Sequence, residues 1–279
     1  MQRKRYTTTM YIGIDIGGSK ILVVAGDSRH HILRQAKVET PETAAQGMIE
    51  IVHLVEQVAA GEKVTAIGVA APGPIDRKRG RLFDTPPRNL TWGPVDIGPQ
   101  LTNHFHAPVT VEHDAAAGAL AEAVIGAAKG KANVLYMTIS TGVGIGVVTD
   151  GEVYHGLHDT EAATIVVSEG RTSQEFEEVV SGRALKRRFG KYGYQITDPK
   201  IWDTYSKDLA VGLHDLITIL SPEIVVIGGG VGVHLDRFHD FLVTHLEERK
   251  RLYPLPPIVS AKYVETGTVQ GALILAARL

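Results

Sequence analysis

The sequence predicts an α/β fold built from two similar domains, and three observations carry that reading. The first is a repeat: residues 11–24 read as strand, tight glycine turn and strand, and residues 134–148 repeat that layout about 125 residues later. The second is a series of helix, strand and glycine-rich loop. Leu209, Leu213, Leu216, Ile217 and Leu220 have helical spacing, and residues 224–227 then form a buried strand running into Gly228, Gly229 and Gly230. Layouts of this kind bind ligands at the carboxyl ends of their strands. The third is length: 279 residues suffice for two domains that each bury a core. A repeat at that spacing suggests two domains facing each other, each offering a hairpin tip to the gap between them.

Taken in order, residues 1–10 are basic at Arg3, Lys4 and Arg5 and are expected to form a loose leader. The first strand carries Asp15 and leads into Gly17-Gly18-Ser19-Lys20. Glycines in such a turn allow positive φ and leave no Cβ in the way of a ligand. Backbone N–H groups there can face phosphate oxygens with Ser19 and Lys20 in reach, although a plain hairpin shows the same pattern. Thr40-Pro41 is expected to open a helix with Met48, Ile51, Val52, Val55 and Ala59 on one face, ended by Gly61. Residues 64–71 read as a buried strand leaving through Pro72-Gly73-Pro74. Residues 79–92 form a polar, proline-interrupted loop carrying Asn89, which suits either a turn or a polar ligand.

A short apolar strand over 108–111 and a strongly helix-forming run over 115–128 place Asp114 at a strand-to-helix corner. A carboxylate at such a corner can accept the proton of a substrate hydroxyl, or it can cap the helix. The second turn is Ser140-Thr141-Gly142. Residues 156–171 read as irregular and acidic, and 173–187 as a helical region whose Glu175, Glu177 and Glu178 are expected on a solvated face. Residues 269–279 form an alanine-rich helix expected to cross back and complete the first domain. The predicted domains are therefore 11–115 with 268–279, and 116–267.

Composition narrows the function classes. The net charge is −2 and no basic face is evident, which argues against nucleic acid as a partner. The apolar run after Met10 is broken by Asp15 and a glycine pair, and no stretch approaches the roughly 20 apolar residues of a membrane-spanning helix. With no cysteine there is neither a disulfide framework nor a thiolate metal site, which fits a reducing, cytoplasmic setting. His30-His31 and His104-Phe105-His106 are the close histidine sets; neither has carboxylates spaced to complete a metal site, and both are expected in surface loops.

Asp15-Ile16-Gly17-Gly18-Ser19-Lys20, Ala71-Pro72-Gly73-Pro74-Ile75-Asp76, Asn89-Leu90 before Trp92, Glu112-His113-Asp114-Ala115, and the strand ending in Gly228-Gly229-Gly230 resemble, in order and spacing, the ROK family. The family is named for repressors, open reading frames and kinases and belongs to the actin-like ATPase superfamily. The resemblance implies two actin-like (ribonuclease H-like) α/β domains with a central cleft in which ATP and a sugar meet. It implies a glucokinase-like phosphorylation of a hexose hydroxyl, on glucose or a related sugar such as an N-acetylhexosamine. Asp114 then matches the general base, and the hairpin Asp15, Gly17, Gly18, Ser19 and Lys20 lies against the phosphates with Asp15 near Mg²⁺. Thr141 and Gly142 match the second phosphate turn, and Gly228, Gly229 and Gly230 the loop beside the adenosine. Gly73, Asn89, His113, Glu161, Thr164 and Glu177 fall at sugar-facing positions, and the family's habit implies a homodimer. Phosphoryl transfer asks mainly for positioning and charge neutralisation, so glycine tips, one metal and one base are sufficient parts.

The departures are informative. His113 stands where family kinases usually carry asparagine. Thr160-Glu161-Ala162-Ala163-Thr164 replaces a Gly-Glu-Ile-Gly-His segment, so Thr164 takes the place of a zinc- and sugar-contacting histidine. A Cys₃His site cannot be assembled without thiolates, so no structural zinc is expected. The identity of the sugar stays open. Two alternatives accompany the kinase reading. One is a degenerate kinase that binds sugar or nucleotide without turnover, motivated by His113 and Thr164. The other is a transcriptional regulator, against which stands the short stretch ahead of the first strand, too small for a helix-turn-helix.

Overall fold

The computed structural model describes residues 9–83, 90–156, 162–169, 172–249 and 253–279. Packing divides the chain into two compact units, one of residues up to Ala117 together with Thr268–Leu279, the other Gly118–Gly267.

The first unit runs β1 (Met10–Ile16), β2 (Lys20–Gly26), β3 (Ile32–Glu39), α1 (Ala44–Ala59), β4 (Val64–Ala71), β5 (Ile75–Asp76), β6 (Arg81–Leu82), α2 (Ile97–Phe105), β7 (Val109–His113) and the start of α3 (Asp114–Val124). Its sheet has the order β3-β2-β1-β4-β7, with β1–β2 and β2–β3 antiparallel and β1–β4 and β4–β7 parallel. The central strands are near-continuous apolar runs because both of their faces are covered. On one face Ile12, Ile14, Ile16, Val23, Ile67 and Val69 pack with Ile51 and Val55 of α1. On the other lies α9 (Gly267–Ala276), whose Val269 and Leu273 pack with Leu22 and Val24. A Cβ at Gly13 would lie 2.6 Å from the Val269 carbonyl oxygen, and one at Gly68 would lie 1.9 Å from that of Ala272. Glycine at these two strand positions lets the helix backbone rest directly on the sheet.

Thr40-Pro41 does not open α1. The helix begins at Ala44, where the Thr43 side chain accepts from the Gln46 N–H, and it ends through the left-handed Ala60 followed by Gly61 at φ 80°. Met48, Ile51, Val55 and Ala59 are buried on one face as expected, with Val52 partly so. His104 belongs to the last turn of α2, not to a loop, with Nε2 3.1 Å from Glu56.

The second unit contains β8 (Asn133–Ile139), β9 (Val143–Thr149), β10 (Glu152–Val153), β11 (Val166–Glu169), β12 (Thr172–Glu175), α4 (Phe176–Val180), α5 (Gly182–Phe189), α6 (Pro199–Leu220), β13 (Ile224–Gly228), α7 (Gly229–Gly232), α8 (His239–Glu247) and β14 (Ile258–Ser260). Its sheet, β10-β9-β8-β13-β14, repeats the order and strand directions of the first. The core joins Leu135, Met137 and Ile227 to Phe176, Trp202, Tyr205 and Phe238. Three expectations need correction here. The helix predicted from Leu209 starts at Pro199, capped by Asp198. Residues 166–175 include the antiparallel pair β11–β12, and the expected single helix over 173–187 is broken at Ser181, whose extended backbone ends α4 and whose hydroxyl caps α5 at Ala184.

Candidate functional site

Three parallel strands of the first sheet, β1, β4 and β7, end on one edge, and their carboxyl ends carry Asp15, Gly73 and the pair His113–Asp114. Gly73 is buried just beyond β4 and precedes a cis Pro74. Asp15 stands one residue before the end of β1, half-buried. Burial pushes its carboxyl up to about 7, the negative Asp114 adds to this, and Lys20 opposes it. Asp15 and Asp114 therefore feel each other's charge.

Between the last strand pair Ile16–Ile21 lies a turn of four residues, Gly17 to Lys20, closed by the Gly17 N–H donating to the Lys20 carbonyl at 3.0 Å. Neither glycine occupies the left-handed region, contrary to the expected use of positive φ. Gly17 is needed instead for close approach, since a Cβ there would sit 3.1 Å from the Lys20 carbonyl oxygen. Thr40 braces the turn from behind: its hydroxyl donates to the Gly17 carbonyl at 2.6 Å and its N–H to the Ser19 carbonyl at 3.1 Å. Among the described residues no protein group accepts from the N–H of Gly18 or Ser19, and both residues are exposed. These N–H groups, which follow in sequence a carboxylate whose charge is disfavoured by burial and by Asp114, suit an anion that arrives with a hard cation. The described residues contain no cluster of three potential metal ligands. Mg²⁺ does not require one, because it characteristically takes one or two carboxylates and completes its shell with water and phosphate oxygens.

At the corner, Asp114 Oδ1 accepts from the Ala115 N–H at 2.6 Å and lies 3.0 Å from His113 Nδ1, with 34% of the side chain exposed. The first helical turn thus holds the carboxylate in place without burying it. Glu112 is buried; its Oε1 accepts from the His113 N–H at 2.8 Å and lies 3.9 Å from Arg77. An acid on the inward side of an apolar strand was the signal available for it.

In the second unit β8 and β13 run parallel, so the turn Ser140–Thr141–Gly142 and Gly228–Gly229–Gly230 share a carboxyl edge. Gly229 has φ 82° and a Cβ there would meet the Ile139 carbonyl oxygen at 2.5 Å, so this position demands glycine twice over. Gly228 closes β13, buried, and Gly230 is exposed. The Ser140 N–H donates to the Gly142 carbonyl at 2.9 Å, and the start of α5 takes up two turn carbonyls, Gly182 N–H to Ser140 at 2.7 Å and Arg183 N–H to Thr141 at 3.4 Å. Glu177 does not lie on a solvated face: its side chain is 12% exposed, Oε2 accepts from the Val143 N–H at 3.0 Å, and Oε1 accepts from Arg183 at 2.7 Å. Thr164 ends a 3₁₀ turn, Ala162–Thr164, that packs against β9 and is half-buried. Asn89 and Glu161 lie outside the described residues. Thr40 and Arg183 carry no signature in the sequence, because their partners are backbone atoms and a side chain of distant segments.

Among the described residues no helix is long and apolar enough to cross a membrane. The chain is 30% identical over 263 residues to a glucokinase of Streptomyces coelicolor, covering 79% of this chain and 81% of that one. A xylose repressor of Bacillus subtilis is 32% identical over 152 residues, 52% of this chain and 39% of the repressor. Among solved structures, a ROK family glucokinase from Streptomyces griseus in complex with glucose and AMPPNP superposes with a TM-score of 0.81 at 26% identity, covering 97% of this chain and all of that one. The ROK family pattern itself matches residues 11–278, and with two sheets of the same strand order and this match along nearly its whole length, the chain belongs to the ROK family, with the actin-like fold of its sugar kinases.

Proposed function

We propose that the protein phosphorylates a hexose hydroxyl with ATP, Asp114 serving as general base. The observation that carries this reading is the grouping of Asp15, Asp114 and an N–H-lined turn on one sheet edge. Mg-ATP, when bound, supplies the transferable phosphoryl group and neutralises its charge. Gly18 and Ser19 present N–H groups to phosphate oxygens, Lys20 adds a positive charge, and Asp15 is the residue suited to Mg²⁺. The Thr141–Gly142 turn serves as the second phosphate turn, and Gly228, Gly229 and Gly230 accommodate the nucleoside side. Asp114 accepts the sugar hydroxyl proton while Ala115 and His113 fix its orientation, and Gly73, His113 and Thr164 contribute to the sugar-facing surface. We read the enzyme as a cytoplasmic homodimer.

The test is release of ADP with Mg-ATP across glucose, fructose, mannose and N-acetylhexosamines. Sugar-dependent turnover is expected with at least one of them, and its absence in a folded sample overturns the reading. One observation favours a second reading, a sugar or nucleotide binder without turnover: His113 Nδ1 already occupies an oxygen of Asp114 at 3.0 Å. Calorimetric sugar binding without phosphorylation would select it. The similarity to a repressor motivates a regulator as well, which duplex DNA binding at physiological salt would support.

A further inference from the structure

Thr40 can brace the first turn only if the short connection from β3 to α1 that carries it is itself fixed. Proline at 41 offers no N–H, which leaves its carbonyl as the backbone group available for an anchor. That carbonyl and the next are both taken by one segment far along the chain: the Trp92 indole N–H donates to the Pro41 carbonyl at 2.8 Å, and the Thr91 hydroxyl donates to the Glu42 carbonyl at 2.8 Å. Trp92 is 1% exposed, and a Cβ at Gly47 of α1 would lie 1.9 Å from its Cζ2, so the ring fills the space that any other residue at 47 would need. A glycine inside a helix weakens it relative to alanine, and the seat of this ring accounts for Gly47. We infer that Trp92 and Thr91 are positioning residues of the first phosphate turn, anchoring residues 41–42 and through them Thr40.

Thr40, Pro41 and Glu42 are consecutive, so four hydrogen bonds act on three residues. Two reach the turn, at the carbonyls of Gly17 and Ser19, and two come from Trp92 and Thr91. The Gly17 carbonyl shares a planar trans peptide with the Gly18 N–H, and the two point in opposite directions. A donor behind the Gly17 carbonyl therefore aims the Gly18 N–H outward, toward the place where a phosphate oxygen would be held. Displacing Thr40 turns that peptide plane. Loss of the Trp92 or Thr91 anchor should thus weaken the phosphate grip by way of the Thr40 hydroxyl. A contribution from general packing would be independent of that hydroxyl.

The inference rests on the kinase reading, and the experiment separates the two. Mg-AMPPNP binding is measured by calorimetry on the full chain, without sugar, for the parent, Thr40→Val, Trp92→Phe, Thr91→Val and the two double variants that combine Thr40→Val with each of the others. Trp92→Phe keeps an aromatic ring and removes the indole donor. Thr91 is exposed, so Thr91→Val removes its hydroxyl without opening the core, and it carries the test if Trp92→Phe fails to fold. Trp92→Phe is expected to weaken Mg-AMPPNP about fivefold and Thr91→Val about threefold. Each double variant is expected to be within about twofold of its more affected single variant, where independent effects would multiply. Parental affinity in either folded variant, or losses that multiply with that of Thr40→Val, overturns the inference. If the parent binds no Mg-AMPPNP, the kinase reading falls and takes the inference with it, and that outcome is seen before any variant is made.

Discussion

The two hairpin tips sit on sheets of identical strand order, but they differ in length, in bracing and in charge. The first has four residues between Ile16 and Ile21, the second three between Ile139 and Val143. The first is braced by Thr40, which donates to two turn carbonyls; the second by donors at the start of α5 and by the acceptor Glu177. The penultimate residue of the strand is Asp15 in one copy and Thr138 in the other. Only the first tip thus has an acid of its own strand beside it, and a second acid, Asp114, within its field. A duplicated scaffold supplies two similar turns, and single residues then set the charge around each: an acid of its own strand at the first, a carboxylate paired with an arginine at the second.

The largest expected effect tests that division directly. Asp114→Asn or Asp114→Ala should lower kcat by about 10²–10⁴ while leaving Mg-AMPPNP affinity within about twofold, read by steady-state kinetics and calorimetry. A loss of nucleotide affinity of the same size would erase the distinction between acid chemistry and phosphate grip.

Asp15 should set a pH dependence that the second tip lacks. Its carboxyl rises from an ordinary 3.8 to about 7 on folding, so the folded state binds the proton more tightly than the unfolded chain. The resulting penalty is absent at low pH, where both states are protonated, grows as the pH climbs from 3.8 to about 7, and is constant above. Asp15→Asn should therefore stabilise the ligand-free protein at pH 8, on the order of 2–4 kcal/mol, and not at pH 4, by chemical denaturation. The same variant should lose any stabilisation by Mg²⁺ with nucleotide. Thr138→Val should show neither behaviour.

The braces should differ in their tolerance of added bulk. Gly142→Ala brings a Cβ to 2.6 Å from Glu177 Oε2, whereas Gly17→Ala brings one to 3.1 Å from a backbone oxygen. The first is expected to raise the KM for ATP about tenfold, because a carboxylate held at two sites must shift, and the second about threefold. Smallest is Thr40→Val, which removes the 2.6 Å hydroxyl bond to Gly17 but keeps the backbone bond to Ser19. A rise in KM for ATP of about two- to fivefold, with unchanged KM for sugar, matches the loss of one neutral hydrogen bond.

The sequence by itself determined the elements that local chemistry decides. Apolar runs with glycine ends gave β1, β2, β8, β9 and β13, their duplication gave the α/β class, and helix-forming alanines after Asp114 gave the corner. Motif order identified the family, because five short patterns in register constrain more than any one of them. Where local signals compete, the reading failed: Ser181 could continue a helix or cap the next, and its extended backbone decided for the cap. Glu177 looked solvated because helical periodicity reports which face a residue is on, not what meets that face.

Only the tertiary structure decided that Thr40 serves the first tip, that Glu177 and Arg183 clamp the second, and why Gly13 and Gly68 are glycines. In each case the partner is a backbone atom or side chain from another segment: Ser19 for Thr40, Val143 for Glu177, the α9 carbonyls for the two glycines. Contacts of that kind follow from strand order and helix docking, and those are fixed by burial summed over a whole core, a quantity that no short window of residues contains.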